Sequence, residues 1–113
     1  MTDRQKRVDA LIHEYAGDII NREVEFPEGV MVTIAGVRSH PDLKSMEVMV
    51  SVFPEKYRGT ALGILRIRAG LIQREVNKML KMKYTPKIVF SADIGGQKAS
   101  GIEALLDEIK KEL

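Results

Sequence analysis

Lysine and arginine side chains are concentrated in one short segment of this 113-residue sequence. Residues 66–87 contain seven basic residues and one acidic residue, a net charge of +6, whereas residues 1–65 and 88–113 each carry −2. A local basic patch on an otherwise near-neutral chain indicates a polyanionic partner. A solvated helix face is the alternative explanation for the same charge distribution.

The helix predicted around these cations separates a basic side from an apolar side. On an ideal helix Arg74, Lys78 and Lys81 fall at positions i, i+4 and i+7, within about 60° of arc. Ile72 and Val76 share the opposite side, which must meet the sheet. Each contact with a phosphate releases condensed counterions, so this ridge would bind RNA or DNA with a steep salt dependence. An anionic membrane is a weaker alternative, because it would need the apolar side that the core uses.

We use the name basic surface for the full set of cations that we expect to contact RNA phosphates. Its members are Arg4, Lys6, Arg7, Arg66, Arg68, Arg74, Lys78, Lys81 and Lys83. The first three belong to it if the N-terminal helix packs beside the helices of residues 60–82. There is no Trp, and aromatic residues make up only 5% of the chain, so stacking on unpaired bases is not the favoured mode. RNA shape and backbone are the expected targets.

The sequence offers little for catalysis or for a bound metal or cofactor. It has no cysteine and two histidines, and the metalloprotease pattern that begins at His13 fails because position 17 is Gly. The glycines of residues 59–63 lack the Lys-Ser/Thr ending of a phosphate-binding loop. We therefore expect no enzyme, no metal and no cofactor. A deep pocket that holds Asp42 or Asp93 beside a histidine would favour a small enzyme instead.

Hydrophobic periodicity predicts the elements that must position the basic surface. The predicted helices cover 3–22, 60–82 and 99–112, and the predicted strands cover 30–37, 46–53 and 86–91. In the first helix Asp9 is assigned to the polar circumference, and in the second a bend is expected near Gly70. The strand 46–53 alternates with a period of two, which predicts one buried face.

These elements predict a single α+β domain over residues 1–113, with a three-stranded sheet and helices packed on one side. Hydrophobic residues are 44% and charged residues 30% of the chain, which is typical of globular proteins. No apolar run approaches the roughly 20 residues that a membrane span needs. The N-terminus has no signal-peptide pattern.

The order α-β-β-α-α-β matches the bacterial-type, or type II, KH topology of nucleic-acid-binding domains. The Gly-x-x-Gly loop of that fold is missing, and Arg68-Ala69-Gly70-Leu71-Ile72 in a bent helix pair stands in its place. The combination resembles the ribosome-binding factor A family. Further matching pieces are Val32-Thr33-Ile34-x-x-Val37, Met46-x-Val48-x-Val50-Ser51 and Thr85-Pro86-Lys87-Ile88-Val89-Phe90-Ser91-Ala92-Asp93.

The resemblance implies a type II KH-like domain with an additional C-terminal helix and a helix kink at Ala69 and Gly70. It implies a non-enzymatic, cytoplasmic assembly factor that binds the immature small (30S) ribosomal subunit through 16S rRNA. Such a factor would assist late maturation, including growth in the cold, as a monomer with a ribosome-associated GTPase as a possible partner. The alternatives are a generic KH-like RNA-binding module and a protein-interaction adaptor not tied to the ribosome.

Overall fold

A computed structural model of the protein describes residues 3–82, 84–94 and 97–98. The helices are α1 (Asp3–Glu23), α2 (Arg58–Ile67) and α3 (Ala69–Leu80), and the strands are β1 (Met31–Ser39), β2 (Ser45–Phe53), β3 (Lys87–Ile94) and β4 (Gln97–Lys98). The predicted α-β-β-α-α-β order is therefore confirmed, together with the mixed α+β class. The predicted helix over 99–112 lies outside the described residues.

The sheet has the order β1-β2-β3-β4. The hairpin of β1 and β2 is antiparallel, as the short link between them predicts, whereas β3 runs parallel to β2 from Ser45↔Lys87 to Val50↔Ala92. A parallel neighbour requires a crossover connection, and α2 and α3 supply it. Strand β3 continues beyond its predicted end at residue 91 to Ile94, where it pairs with the two-residue β4.

The core lies between the sheet and the three helices. The apolar stripe of α1, including Ile12 and Ile19, belongs to one buried cluster with Val48 and Val50 of β2 and Phe90 of β3. Full burial of each such aliphatic side chain contributes roughly 1.5–3 kcal/mol. This cluster anchors the helices, and it leaves their polar sides to face solvent.

Strand β2 differs from its predicted pattern, because Met46 through Val50 are all buried. The expected single buried face is wrong over Met46–Val50, because residues of β1 cover the second face: Arg38 Nη2 lies 3.2 Å from Glu47 Oε1, and Met49 lies over Gly36. Gly36 of β1 leaves room for one of these side chains. A Cβ at that position would lie 3.1 Å from Met49 Cε, so the methionine would have to shift.

The predicted bend of the second helix lies at Arg68 rather than at Gly70. Arg68 has φ −90° and ψ 1° and separates α2 from α3, which begins at Ala69. Gly70 lies in the first turn of α3, and a Cβ there would meet nothing within 4 Å. The helices diverge because they have different partners: α2 packs on β2 and β3, whereas α3 packs on α1 and β3.

Gln73 fixes α3 to the start of β3 through two backbone groups. Its Nε2 donates to Pro86 O at 3.1 Å, and its Oε1 accepts from Ile88 N–H at 2.8 Å. The side-chain amide thus bonds the backbone carbonyl before Lys87 and the backbone N–H after it, as the backbone of a neighbouring parallel strand would. Its Nε2 also donates to Oδ1 of Asn77, at 3.0 Å.

Gln5 and Asp9 fix α1 to the end of β1 in a similar way. Asp9 Oδ1 accepts from Ser39 N–H at 3.0 Å, and Gln5 Nε2 donates to Ser39 O at 3.4 Å. Both side chains are buried, so the assignment of Asp9 to the solvent-facing side is wrong. The physical reason is that a buried strand end needs partners for its backbone groups, and these two side chains one turn apart supply them.

We predict that Gln73→Ala lowers the free energy of unfolding by about 2 kcal/mol, because two backbone groups beside β3 lose their partner. Asn77→Ala is the matched control, since Asn77 is exposed on the same helix, and we expect it to change stability by less than about 0.5 kcal/mol. Urea unfolding followed by circular dichroism measures both. Equal losses in the two variants would contradict the role of Gln73.

Candidate nucleic-acid interface

Every member of the basic surface that the structure describes is exposed. These residues are Arg4, Lys6, Arg7, Arg66, Arg68, Arg74, Lys78 and Lys81, while Lys83 lies outside the described residues. Among the described ion pairs, only Lys78 of this set has a carboxylate partner. The cations of α2 and α3 are therefore largely available for contacts with an external anion.

Arg74 and Lys78 lie one turn apart on the exposed side of α3, opposite the buried Ile72 and Val76. Lys78 Nζ lies 3.4 Å from Glu75 Oε1. An exposed pair of this kind is worth at most about 0.5 kcal/mol, so a phosphate can displace the carboxylate at little cost. Gln73 directly precedes Arg74. The hydrogen bonds of Gln73 to the β3 segment fix the position of the exposed side of α3 relative to the sheet.

Lys81 does not continue the helical ridge. Helix α3 ends at Leu80, and Lys81 adopts a left-handed conformation with φ 53° and ψ 34°. Its N–H donates to Asn77 O at 3.3 Å, which caps the helix. The expected i+7 position is therefore wrong, because the reversal of φ turns the chain away from the direction of the helix axis.

The α2–α3 junction concentrates two further cations around one apolar side chain. Arg66 and Arg68 flank Ile67, which is 81% exposed. Ile67 and Arg68 also line an open cleft of about 700 Å³ together with Arg22, Glu23, Glu25, Ile64 and Leu71. The residues from 22 to 25 come from the end of α1, so this cleft brings the C-terminal end of α1 to the junction.

Helices α1 and α3 are antiparallel neighbours. The C-terminal end of α1 lies by the α2–α3 junction, where α3 begins. The N-terminal part of α1 lies elsewhere, because Gln5 and Asp9 bind Ser39 at the C-terminal end of β1. Since α1 packs beside α3, the condition stated for including Arg4, Lys6 and Arg7 is met. Their part in RNA binding stays a prediction.

Sequence reasoning missed the polar residues that position these helices. Gln5, Asp9 and Gln73 look like surface residues because each is polar and helical. Asp9 and Gln73 directly follow the buried Val8 and Ile72, and Gln5 lies one turn before Val8, so each is at the border of an apolar stripe. That border position is the one signal in the sequence that could have identified them. The exposure of Ile67 was also missed, because an apolar side chain inside a predicted helix is expected to face the core.

The features that would favour an enzyme are not assembled in the described part of the chain. Asp42 Oδ1 accepts from Lys44 N–H at 2.9 Å within its own turn. Over residues 3–82, 84–94 and 97–98, no group of three His, Cys, Asp or Glu residues could hold a metal ion. Over the same residues, no helix combines the length and apolar character needed to cross a membrane.

Comparison with known sequences gives a nearly full-length match. A sequence model of the family described as ribosome-binding factor A matches residues 4–106. Ribosome-binding factor A from Clostridium perfringens strain SM101 is 33% identical over 112 residues, covering 96% of this chain and 97% of that protein.

Comparison with solved structures supports the same fold. A solution structure from Thermotoga maritima superposes with a TM-score of 0.72 at 21% identity, covering 87% of this chain and 93% of that one. Coordinates of Thermus thermophilus ribosome-binding factor A, fitted into the cryo-EM map of a 30S complex, give a TM-score of 0.66 at 21% identity. That match covers 80% of this chain and 94% of that one.

We predict that Lys81→Gly raises the free energy of unfolding by about 0.5–1 kcal/mol, because glycine adopts the left-handed conformation without the penalty of a Cβ. Lys78→Gly removes the same charge inside α3, and there we expect a loss of about 1 kcal/mol. Thermal unfolding of both variants measures the difference. A destabilised Lys81→Gly variant would contradict the assigned cap.

Proposed function

The chain belongs to the ribosome-binding factor A family, and from this premise we propose that it binds the immature small ribosomal subunit through 16S rRNA. The observation that carries the proposal is the match of the family over residues 4–106. That span includes every cation of the basic surface. The homologue from Thermus thermophilus, fitted into a 30S complex, supports the small subunit as the target.

The basic surface supplies the physical basis of this binding. Arg66, Arg68 and Arg74 are exposed and have no carboxylate within 4 Å among the described residues. Guanidinium groups bind phosphate oxygens in a bidentate geometry, which gives orientation as well as affinity. Because Arg68 lies at the break between α2 and α3, the two helices can present their cations to different stretches of one folded RNA.

Assistance of maturation follows from a difference in affinity. A protein shifts RNA folding only by binding one conformation more tightly than another. A rigid set of cations binds one rRNA conformation more tightly when that conformation places its phosphates opposite the cations and the competing conformations do not. Competing base-paired arrangements are more stable at low temperature, so the same selection explains the proposed role in growth in the cold.

We propose further that the protein acts in the cytoplasm as a monomeric binding factor rather than as an enzyme. The family match over residues 4–106 supports a binding role. Release by a ribosome-associated GTPase is consistent with this mechanism, because an external source of free energy can reverse a tight binding step.

We predict that Arg74→Glu/Lys78→Glu weakens binding to immature small subunits and reduces the slope of log K against log salt by about 1.5–2, since two phosphate contacts are lost. Lys44→Glu/Lys56→Glu makes the same charge change at exposed sites outside the basic surface, and we expect its slope to change much less. Filter binding from 50 to 300 mM salt measures the slopes. If both double variants give the same slope, the ridge of α3 is not the contact.

A second experiment tests the identity of the target. In sedimentation of cell lysate, we expect the protein to travel with immature small subunits and to leave that fraction at high salt. Association with other RNA instead would favour a generic RNA-binding module. Association that persists undiminished at high salt would favour the adaptor, because apolar contacts are not weakened by screening.

A further inference from the structure

Strand β1 is a long edge of the sheet. Within the described chain its only strand partner is β2. Free sheet edges are normally protected by charged residues or by bulges. In β1 both devices lie in the second half: the bulge falls between Ile34 and Gly36, and Arg38 is the one charged residue. The first half, Met31–Ile34, therefore has neither device, and the backbone groups of its alternate residues that point away from β2 have no strand partner in the described chain.

An acidic cleft lies between this edge and α1. It has a volume of about 340 Å³, and its lining includes Glu14, Gly17 and Asp18 of α1 and Val32 and Ile34 of β1. Glu14 and Asp18 contribute two carboxylates to its lining, His13 adds an imidazole, and no lysine or arginine lines it. Gly17 lies on the wall of the cleft that faces Ile34, and a Cβ there would make only an ordinary contact with Ile34 Cδ1, at 3.8 Å.

We propose that this cleft binds an extended, lysine- or arginine-rich segment of a partner protein as an added β-strand beside β1. The backbone of the segment pairs with Met31–Ile34, and its cationic side chains reach Glu14 and Asp18. An RNA is excluded at this site, because the carboxylates repel phosphates. The proposal does not depend on the RNA-binding function, since it uses carboxylates and a strand edge rather than the cations of the basic surface.

The spacing of the two carboxylates suits this occupant. Glu14 and Asp18 are four residues apart on a helix, which gives a rise of about 6 Å. Alternate residues of a strand lie about 6.6–6.8 Å apart and point to the same side. Two successive cations on one face of the segment therefore align with the two carboxylates. Strand addition supplies affinity through main-chain hydrogen bonds, and the side-chain contacts supply specificity.

The test uses the 15N-labelled full chain and an acetylated, amidated seven-residue peptide with Lys and Val in alternation. We expect its addition to shift the backbone amide signals of residues 31–35 and 13–18 in NMR spectra. Glu14→Gln/Asp18→Asn should raise Kd by about fivefold, the effect of losing two exposed ion pairs. Glu25→Gln/Glu28→Gln changes the net charge equally at exposed sites outside the cleft and should leave Kd unchanged.

A second peptide separates strand addition from simple charge attraction. Replacing each Val with Pro keeps every lysine but removes backbone donors and strand pairing. We expect this peptide to lose the shifts at residues 31–35. Equal binding of the two peptides, no shift at residues 31–35, or an unchanged Kd for Glu14→Gln/Asp18→Asn would each overturn the proposal. Circular dichroism of both double variants verifies that they are folded.

Discussion

The side-chain amide of Gln73 holds the helical layer in register with the sheet. Its two hydrogen bonds reach the carbonyl of Pro86 and the N–H of Ile88, on either side of Lys87. Apolar packing alone tolerates small slides of a helix along a sheet, because it is not directional. Two directional bonds to one peptide segment remove that freedom. Arg74 follows Gln73 directly, so the same contact sets where the exposed cations of α3 stand.

Side-chain hydrogen bonds to backbone groups also fix helix α1, at the β1 edge of the sheet. Gln5 and Asp9 bind both backbone groups of Ser39, while the apolar stripe of α1 packs into the core. With α1 and α3 each tied to a different strand, their antiparallel packing places opposite electrostatic features on different parts of the molecule. The cations lie on α2, α3 and the first turns of α1, and the carboxylates Glu14 and Asp18 lie beside β1.

The sequence predicts those parts of the fold that depend on periodicity. The apolar stripe of α1 and the β-branched run of β1 each identify an element to within two residues of its observed ends. Exposure of Arg74 also follows from the sequence, because the buried Ile72 fixes the orientation of α3. Long-range contacts do not follow from it. Asp9 and Ser39 lie 30 residues apart, and no local sequence pattern predicts the hydrogen bond between them.

Local propensity located the helix break to within two residues but not at its exact position. Gly70 is the weaker helix former, yet the break lies at Arg68, because the different packing partners of α2 and α3 decide where the direction changes. The end of α3 at Leu80 was also not predictable from residue type. Lys81 takes a conformation that glycine or asparagine usually supplies, so the residue type gives no warning of the cap.

The parallel pairing of β2 and β3 has a consequence for the order of folding. The hairpin of β1 and β2 closes over a link of residues 40–44, whereas β3 reaches β2 only after residues 54–86 have been spanned. Longer loops cost more entropy to close, and non-local pairing is slow. We therefore expect the hairpin to form early and the crossover helices to reach their final places late. A nascent chain that still lacks β3 would have no ordered cationic face to offer a nucleic acid.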